Sequence, residues 1–121
     1  MEFGVGHHGE AGTKVEKLKS ASEMAQEMAE TILNDFDFEE GKEVAVMLSS
    51  LGATPVMELY VLYDEVEKVL AKAGHKVWKT YIGNYVTSLD MNGASLTIVD
   101  LDDEIKELLS EPAVPIGMKN Y

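Results

Sequence analysis

The stretch that decides the fold is "EVAVMLSSLG", residues 43–52, followed at once by "ATPVMELYVLYDEVEKVLAKAG", residues 53–74. A continuous apolar run with a Ser-Ser-Leu-Gly ending predicts a strand buried on both faces or at the centre of a sheet. The second segment predicts a helix, in which Thr54 can cap the first turn, Pro55 occupies the first helical position and Gly74 supplies a left-handed stop. We expect this helix to cover the sheet with one apolar stripe: Val56, Leu59, Tyr60, Tyr63, Val66 and Leu70.

The flanking segments predict further strands and helices. Residues 1–6 form a short extended piece, and the chain up to about Lys14 is predicted to be loop. Ser20 and Glu23 make a capping box at the start of a helix that continues to the turn "NDFDFEEGK", residues 34–42. Two strands are predicted in "HKVWKTYIGNY", residues 75–85, and "ASLTIVDL", residues 94–101, and these two could form a hairpin. Asp102 can cap a last short helix, and residues 112–121 are a proline-broken tail.

The predicted order is strand, helix, strand, helix, strand, strand, helix. This order favours an α/β fold, a two-layer structure in which helices pack on a mixed β-sheet. At 121 residues the chain is expected to form one domain.

The charge of the chain is strongly negative. Ten lysines, with no arginine, stand against 22 Asp and Glu residues, which gives a formal net charge of −12. Such a chain repels phosphate backbones and anionic lipids, so we expect no nucleic-acid and no membrane partner. The lack of cysteine excludes disulfides and thiolate chemistry and favours a reducing compartment. Because no apolar run is long enough to span a bilayer, a cytoplasmic protein is predicted.

The glycine-rich segment "GVGHHGEAG", residues 4–12, carries the chain's only pair of adjacent histidines. Glycine lets the backbone approach a ligand closely and adopt positive φ, and histidine supplies a nitrogen that is neutral and nucleophilic near pH 7. The segment therefore predicts a covalent or hydrogen-bonding site for a small molecule. A tight turn with surface histidines is the simpler alternative.

Two other kinds of site fit this segment poorly. A phosphate loop would need a helix directly after it and a Gly-Lys-Ser/Thr ending, and neither is present. A metal site would need ligands that converge, but His7 and His8 point to opposite faces of an extended segment and His75 begins a distant strand. We therefore predict no metal site.

A second polar segment is "GNYVTSLDMNG", residues 83–93. It holds more polar side chains than a turn requires, among them Asn84, Thr87, Ser88 and Asp90. This connection is therefore a candidate contact with another domain, a second subunit or a partner. The alternative is a turn stabilised by its own side chains.

Three segments resemble, in order, the substrate-binding subunit of dihydroxyacetone (glycerone) kinases. "GVGHHGEAG" is similar to a Gly-x-Gly-x-His-Gly-Glu-Pro-Gly motif of that family. The matching segments "SSLGATPVMELYVLYDEV", residues 49–66, and "GNYVTSLDMNGASLTIVDLDDE", residues 83–104, extend the resemblance from Glu2 to about Glu111. It implies that residues 1–121 form the C-terminal domain of that subunit. No counterpart of the family's preceding α/β domain, the N-terminal domain, is present in this sequence.

The resemblance also implies roles for individual residues. His8 would add to the carbonyl carbon of dihydroxyacetone and hold it as a covalent hemiaminal, and Gly6, Gly9 and Glu10 would shape the substrate loop. The sequence departs from the family at His7, where an apolar residue is common, and at Ala11, where proline is common. Neither departure removes His8.

By the same resemblance the chain would be part of a kinase whose transfer machinery lies elsewhere. No cofactor is expected on this chain itself. ATP or ADP with magnesium would be held by a nucleotide-binding partner subunit or domain, in some cases fed by the phosphotransferase system. The expected partners are that subunit, the N-terminal domain and further copies in a homo-oligomer, and the isolated chain is expected to be inactive in phosphoryl transfer. Two alternatives are a non-catalytic triose-binding regulatory paralogue and an inactive, self-associating domain.

Overall fold

The computed structural model of the chain describes residues 1–120. The elements, in chain order, are the strands and helices β1 (Glu2–Phe3), β2 (Lys14–Val15), α1 (Ala21–Asp35), β3 (Glu43–Ser50), α2 (Val56–Lys72), β4 (Lys76–Gly83), β5 (Ala94–Asp100) and α3 (Asp103–Ser110). The predicted α/β architecture is confirmed. Strand β2 was not predicted, because two residues are too few to establish an alternating pattern.

The main sheet has three strands in the order β4-β3-β5. Strand β3 pairs in parallel with β4, where Leu48 lies opposite Ile82, and antiparallel with β5, where Leu48 lies opposite Leu96. The central position predicted for β3 is confirmed. The predicted hairpin of β4 and β5 is wrong, because these strands lie on opposite sides of β3. Because β3 is the most buried strand, it lies at the centre with one neighbour on each edge, which separates β4 from β5.

The core lies between the sheet and the two long helices. Val44, Val46 and Leu48 of β3 are fully buried against Ala25 of α1 and against a stripe of α2. That stripe consists of Leu59, Leu62, Val66 and Leu70. Burial of each leucine or valine contributes about 1.5–3 kcal/mol relative to an exposed position. This cluster therefore fixes β3, and the polar connection from β4 to β5 begins beside its carboxyl end, where Ser49 lies opposite Gly83.

The predicted α2 stripe is only partly right. Leu59, Val66 and Leu70 are buried as expected, but Val56 and Tyr60 are more than two-fifths exposed. The helix is rotated so that Leu62 enters the core in their place.

Three of the predicted helix ends are confirmed. The Glu23 amide donates to the Ser20 hydroxyl at 3.3 Å, and the Ser20 amide donates to the Glu23 carboxylate at 3.0 Å, which completes the capping box. Asp102 accepts from the Ile105 amide at 2.8 Å. Gly74, with φ +87°, follows the end of α2 in the left-handed conformation.

The start of α2 differs from the prediction. Pro55, in an extended conformation, occupies the N-cap position without a side-chain hydrogen bond, and the first helical residue is Val56. Thr54 does not cap, because its hydroxyl donates instead to the Gly93 carbonyl at 2.8 Å. This threonine therefore ties the start of α2 to the connection between β4 and β5.

The tail folds back on itself. Ala113 pairs with Asn120, whose buried side chain donates to the carbonyls of Leu109 and Glu111. The amide oxygen of Asn120 accepts from the Lys79 ammonium and the Tyr81 hydroxyl of β4. The tail is thus fastened to the sheet by one asparagine. Within residues 1–120, none of the helices is long and apolar enough to cross a membrane.

Candidate functional site

The glycine-rich segment is the loop of a small β-ribbon. Strands β1 and β2 pair antiparallel, with Glu2 opposite Val15 and Phe3 opposite Lys14. The Thr13 amide closes the loop with a hydrogen bond of 2.8 Å to the Phe3 carbonyl. Residues 4–13 are therefore held at both ends by paired backbone, which defines their path over the surface.

Residues 6–10 form a tight turn, which we call the histidine turn. The Gly9 amide donates to the Gly6 carbonyl at 3.2 Å, and the Gly6 amide donates to the Glu10 carbonyl at 2.9 Å. Gly9 has φ +88°, a conformation that favours glycine. A Cβ on Gly6 would lie 2.7 Å from Cβ of Glu10, so a side chain does not fit there. Both glycines are therefore required by the turn itself.

His8 stands at the tip of the histidine turn with its side chain 92% exposed. Its backbone amide donates to the Glu10 carboxylate at 3.1 Å, and a carboxylate oxygen of Glu10 lies 3.9 Å from Nδ1 of the imidazole. Glu10 therefore lies near Nδ1, and Nε2 has no hydrogen-bond partner among residues 1–120. Within residues 1–120, no group of three or more His, Asp or Glu side chains could hold a metal ion.

The connection between β4 and β5 reaches the histidine turn through one of its polar residues. The Ser88 hydroxyl donates to the backbone carbonyl of His7 at 3.2 Å. Asn84, Thr87 and Asp90 are exposed, and within residues 1–120 their side chains make no hydrogen bond. The structure therefore brings Ser88 together with the histidine turn and leaves the other three free at the surface.

Ser49, which the sequence pattern did not single out as a functional residue, holds this connection in place. Ser49 is 1% exposed, and its hydroxyl oxygen accepts from the amides of Tyr85 at 3.0 Å and Val86 at 3.3 Å. The signal was two serines at the end of a buried strand, where a buried hydroxyl needs partners.

The tip of the connection carries backbone strain. Leu89 and Asp90 have φ +48° and +59°, in the left-handed region that residues with side chains rarely adopt. Two backbone hydrogen bonds hold this conformation: the Ser88 amide donates to Leu51 at 2.8 Å, and the Met91 amide donates to Ser88 at 3.0 Å. Such strain persists only where the surroundings enforce it.

An ion-pair network links the β-ribbon to α1. The Lys14 ammonium contacts the carboxylates of Glu16 and Glu27, and the Lys19 ammonium contacts the same two at 2.8 and 2.7 Å. Hydrogen bonds from Lys14 and Lys19 lower the pKa of both carboxyls, and hydrogen bonds to Glu16 and Glu27 raise the pKa of both lysines. This network anchors the strand end of the ribbon to α1, and Ser88 contacts the histidine turn at its other end.

A mixed three-stranded sheet with two helices on one face, beside a glycine turn that presents a histidine, defines a small α/β domain with a candidate ligand-binding loop. The Dak1 domain family matches residues 1–116, and the chain belongs to this family.

Three curated relatives carry names that describe their activity. The dihydroxyacetone-binding subunit DhaK of PTS-dependent dihydroxyacetone kinase 2 from Listeria innocua is 38% identical over 112 residues, covering 93% of this chain and 34% of the relative. The D-erythrulose kinase of Mycolicibacterium smegmatis is 38% identical over 113 residues, which cover 93% of this chain and 20% of that relative. The DhaKLM operon coactivator DhaQ of Lactococcus lactis is 33% identical over 105 residues, which cover 85% of this chain and 32% of that relative. The chain thus spans between 20% and 34% of the length of these relatives.

Solved structures show the same fold. A dihydroxyacetone kinase operon co-activator, DhaQ, superposes with a TM-score of 0.85 at 32% identity, covering 92% of this chain and 35% of that one. The dihydroxyacetone kinase from C. freundii in complex with AMP-PNP and Mg²⁺ superposes with a TM-score of 0.76 at 29% identity. The match covers 89% of this chain and 20% of that one. The family resemblance stated from the sequence is therefore confirmed.

Proposed function

We propose that this domain holds dihydroxyacetone, or a closely related small hydroxy ketone, as a covalent hemiaminal on His8. The observation that carries the proposal is the histidine turn, which exposes the imidazole and places the Glu10 carboxylate 3.9 Å from its Nδ1 atom. The names of the Listeria innocua and Mycolicibacterium smegmatis relatives support a ketone substrate. Gly6 and Gly9 serve the site by allowing the turn.

The proposed reaction is an addition that needs no cofactor. The lone pair of Nε2 attacks the carbonyl carbon, a C–N bond forms, and the π-electron pair of the C=O bond moves onto oxygen. The oxygen gains one proton and Nδ1 loses one, so a neutral imidazole and a neutral ketone give a neutral hemiaminal. Glu10, beside Nδ1, is placed to take up that proton after a small movement. The bond fixes a small and featureless substrate in one orientation.

The domain would serve a kinase as its substrate-holding part. We place residues 1–121 as the C-terminal domain of a dihydroxyacetone kinase substrate-binding subunit, joined to an N-terminal domain and acting in a homo-oligomer. Phosphoryl transfer would use ATP or ADP with magnesium on a partner domain or subunit. Transfer depends on placing the acceptor hydroxyl against the phosphate, which a fixed substrate favours.

The proposal is tested by NMR on the full chain with dihydroxyacetone labelled with ¹³C at the carbonyl carbon. Formation of the hemiaminal moves that resonance from the ketone region to the region of tetrahedral carbon and couples it to an imidazole nitrogen in ¹⁵N-labelled protein. We expect His8→Asn to abolish the coupled signal and His7→Asn, the matched control, to retain it. A coupled signal that survives in His8→Asn, or that is absent from the wild type, contradicts the proposal.

A second candidate is a regulatory function without catalysis. It is favoured by the likeness to DhaQ, whose structure superposes with a TM-score of 0.85 against 0.76 for the C. freundii kinase. Both candidates bind the ketone, so binding does not separate them. A phosphoryl-transfer assay with purified nucleotide-binding subunits of the kinase type separates them, since only the kinase part supports turnover.

A further inference from the structure

The peptide group between His7 and His8 is held from both sides. Its carbonyl, that of His7, accepts from the Ser88 hydroxyl at 3.2 Å. Its N–H, that of His8, donates to the Glu10 carboxylate at 3.1 Å. Because a peptide group is planar, two hydrogen bonds at its opposite ends fix the orientation of the whole plane. That plane contains Cα of His8, so it fixes the backbone from which the imidazole projects.

Of these two partners, only Ser88 comes from outside the ribbon. Ser88 and His7 are 81 residues apart in sequence. Over residues 1–120, no other side-chain hydrogen bond joins residues 4–12 to any part of the chain beyond the ribbon. Without Ser88, the histidine turn would keep its internal bonds but could pivot on the ribbon relative to the sheet.

Ser88 is itself fixed to the sheet. Its amide donates to the Leu51 carbonyl at 2.8 Å, just after the end of β3, and its carbonyl accepts from the Met91 amide at 3.0 Å. The hydroxyl of Ser88 is therefore carried by a backbone that is bonded on both sides. A continuous path runs from the buried strand β3 through Leu51 and Ser88 to the His7 carbonyl.

We propose that Ser88 is a positioning residue, which orients the imidazole of His8 relative to the sheet by holding the preceding peptide group. This inference rests on the proposed function of His8 for its effect on ketone binding, but its structural part stands on the hydrogen bonds alone. Ser88 does not contact the substrate in this proposal. It limits the directions in which Nε2 is presented, and a nucleophile that is already oriented loses less conformational freedom when the bond forms.

The test compares Ser88→Ala with Thr87→Ala, which removes the neighbouring exposed hydroxyl, and with Ser88→Thr, which restores a hydroxyl. Three quantities are measured on each full chain: the dissociation constant for carbonyl-¹³C dihydroxyacetone, the backbone ¹⁵N relaxation of His7 and His8, and the urea midpoint. One neutral hydrogen bond is worth roughly a three- to tenfold change in an equilibrium constant. We expect Ser88→Ala to bind the ketone three- to tenfold more weakly, with more mobile His7 and His8 amides and an unchanged urea midpoint. Thr87→Ala should match the wild type, and Ser88→Thr should recover most of the affinity.

Two results would overturn the inference. One is ketone affinity and His8 mobility in Ser88→Ala equal to those of the wild type. The other is a parallel loss of affinity and urea midpoint, which would mean that Ser88 only stabilises the fold. If the wild type itself binds no ketone, the proposed function fails separately, and the relaxation data still decide whether Ser88 holds the histidine turn.

Discussion

Gly52 lies against the backbone of Asp90 so closely that a Cβ on Gly52 would stand 2.7 Å from Cα of Asp90. Gly52 also has φ +132°, a conformation that side chains disfavour. Gly52 also forms a bridge with Met91, so a residue two positions beyond the end of β3 supports the tip of the connection that carries Ser88. Two separate requirements, space and backbone angle, therefore call for glycine at this position.

We expect Gly52→Ala to lower the free energy of unfolding by about 1–3 kcal/mol, because the strained backbone and the contact with Asp90 act together. Since the backbone of Asp90 must move, the amide resonances of residues 86–93 should shift, and ketone binding should weaken with them. Urea unfolding and a ¹⁵N–¹H spectrum measure both effects.

The matched control is Gly41→Ala. Gly41 has φ +78°, but a Cβ there would meet nothing within 4 Å. This variant has the backbone strain without the close contact. It should therefore lower the free energy of unfolding by less than Gly52→Ala does, and the amide resonances of residues 86–93 should not shift. Equal losses in the two variants would show that the approach of Asp90 to Gly52 has no energetic consequence.

Ser49→Ala should destabilise the protein by about 1–3 kcal/mol, because the amides of Tyr85 and Val86 lose a buried acceptor. Ser95, which lies opposite Ser49 on β5, is the control position. We expect Ser95→Ala to lower the free energy of unfolding by less than Ser49→Ala does. Hydrogen exchange of the Tyr85 and Val86 amides should accelerate in Ser49→Ala alone. Unchanged exchange at both amides would contradict the assigned role of Ser49.

The fold was largely predictable, because its decisive elements have local patterns. The apolar run of residues 43–50 marks a central strand, and the capping residues Ser20 and Asp102 act within one turn of their own helices. The errors concern competition between partners. Thr54 could have capped α2 but bonds to Gly93 instead, and β4 could have paired with β5 but pairs with β3. Only the tertiary structure decides such choices.

The place of the candidate site could be predicted from the sequence, but the residues that hold it in position could not. The residue pattern points to the glycine-rich segment with its two histidines, the family resemblance singles out His8, and the role of His8 stays a prediction. The sequence does not point to Ser88 as the partner of His7, since a contact across 81 residues leaves no local signal. Nor does the sequence show why position 52 requires glycine, because the close contact there is with Asp90 in a later segment.

The ion-pair network at the strand end of the ribbon should make its anchoring dependent on pH. Hydrogen bonds from Lys14 and Lys19 hold the pKa of Glu27 below its usual value of 4.5. A carboxyl whose pKa is lowered on folding contributes stability above its unfolded value and loses it as the pH falls through the folded value. We expect Glu27→Gln to have a lower Tm than the wild type at pH 7, with the difference shrinking below about pH 4.5.

The control for this prediction is Glu30→Gln on the same helix, where the neighbour is Gln26 and not a lysine. Its Tm should follow the wild type across the same range of pH. Raising the salt concentration should also reduce the effect of Glu27→Gln, because the pairs are partly exposed. A difference in Tm that persists undiminished at pH 3 would mean that Glu27 acts by packing and not by charge.

The proposed chemistry predicts a sharp selectivity between ketones and polyols. Glycerol differs from dihydroxyacetone by having an alcohol carbon in place of the carbonyl, so it offers His8 no carbon to attack. We expect an excess of glycerol to leave the coupled hemiaminal signal unchanged, whereas hydroxyacetone, which keeps the ketone and lacks one hydroxyl, competes. The competition should vary little with salt, because a neutral ketone is not drawn to or repelled by the charge of −12. In His8→Asn, dihydroxyacetone and glycerol should bind equally weakly, because neither compound can form a covalent bond with this variant. Displacement of dihydroxyacetone by glycerol from the wild type would show that hydroxyl recognition, and not the carbonyl, governs binding.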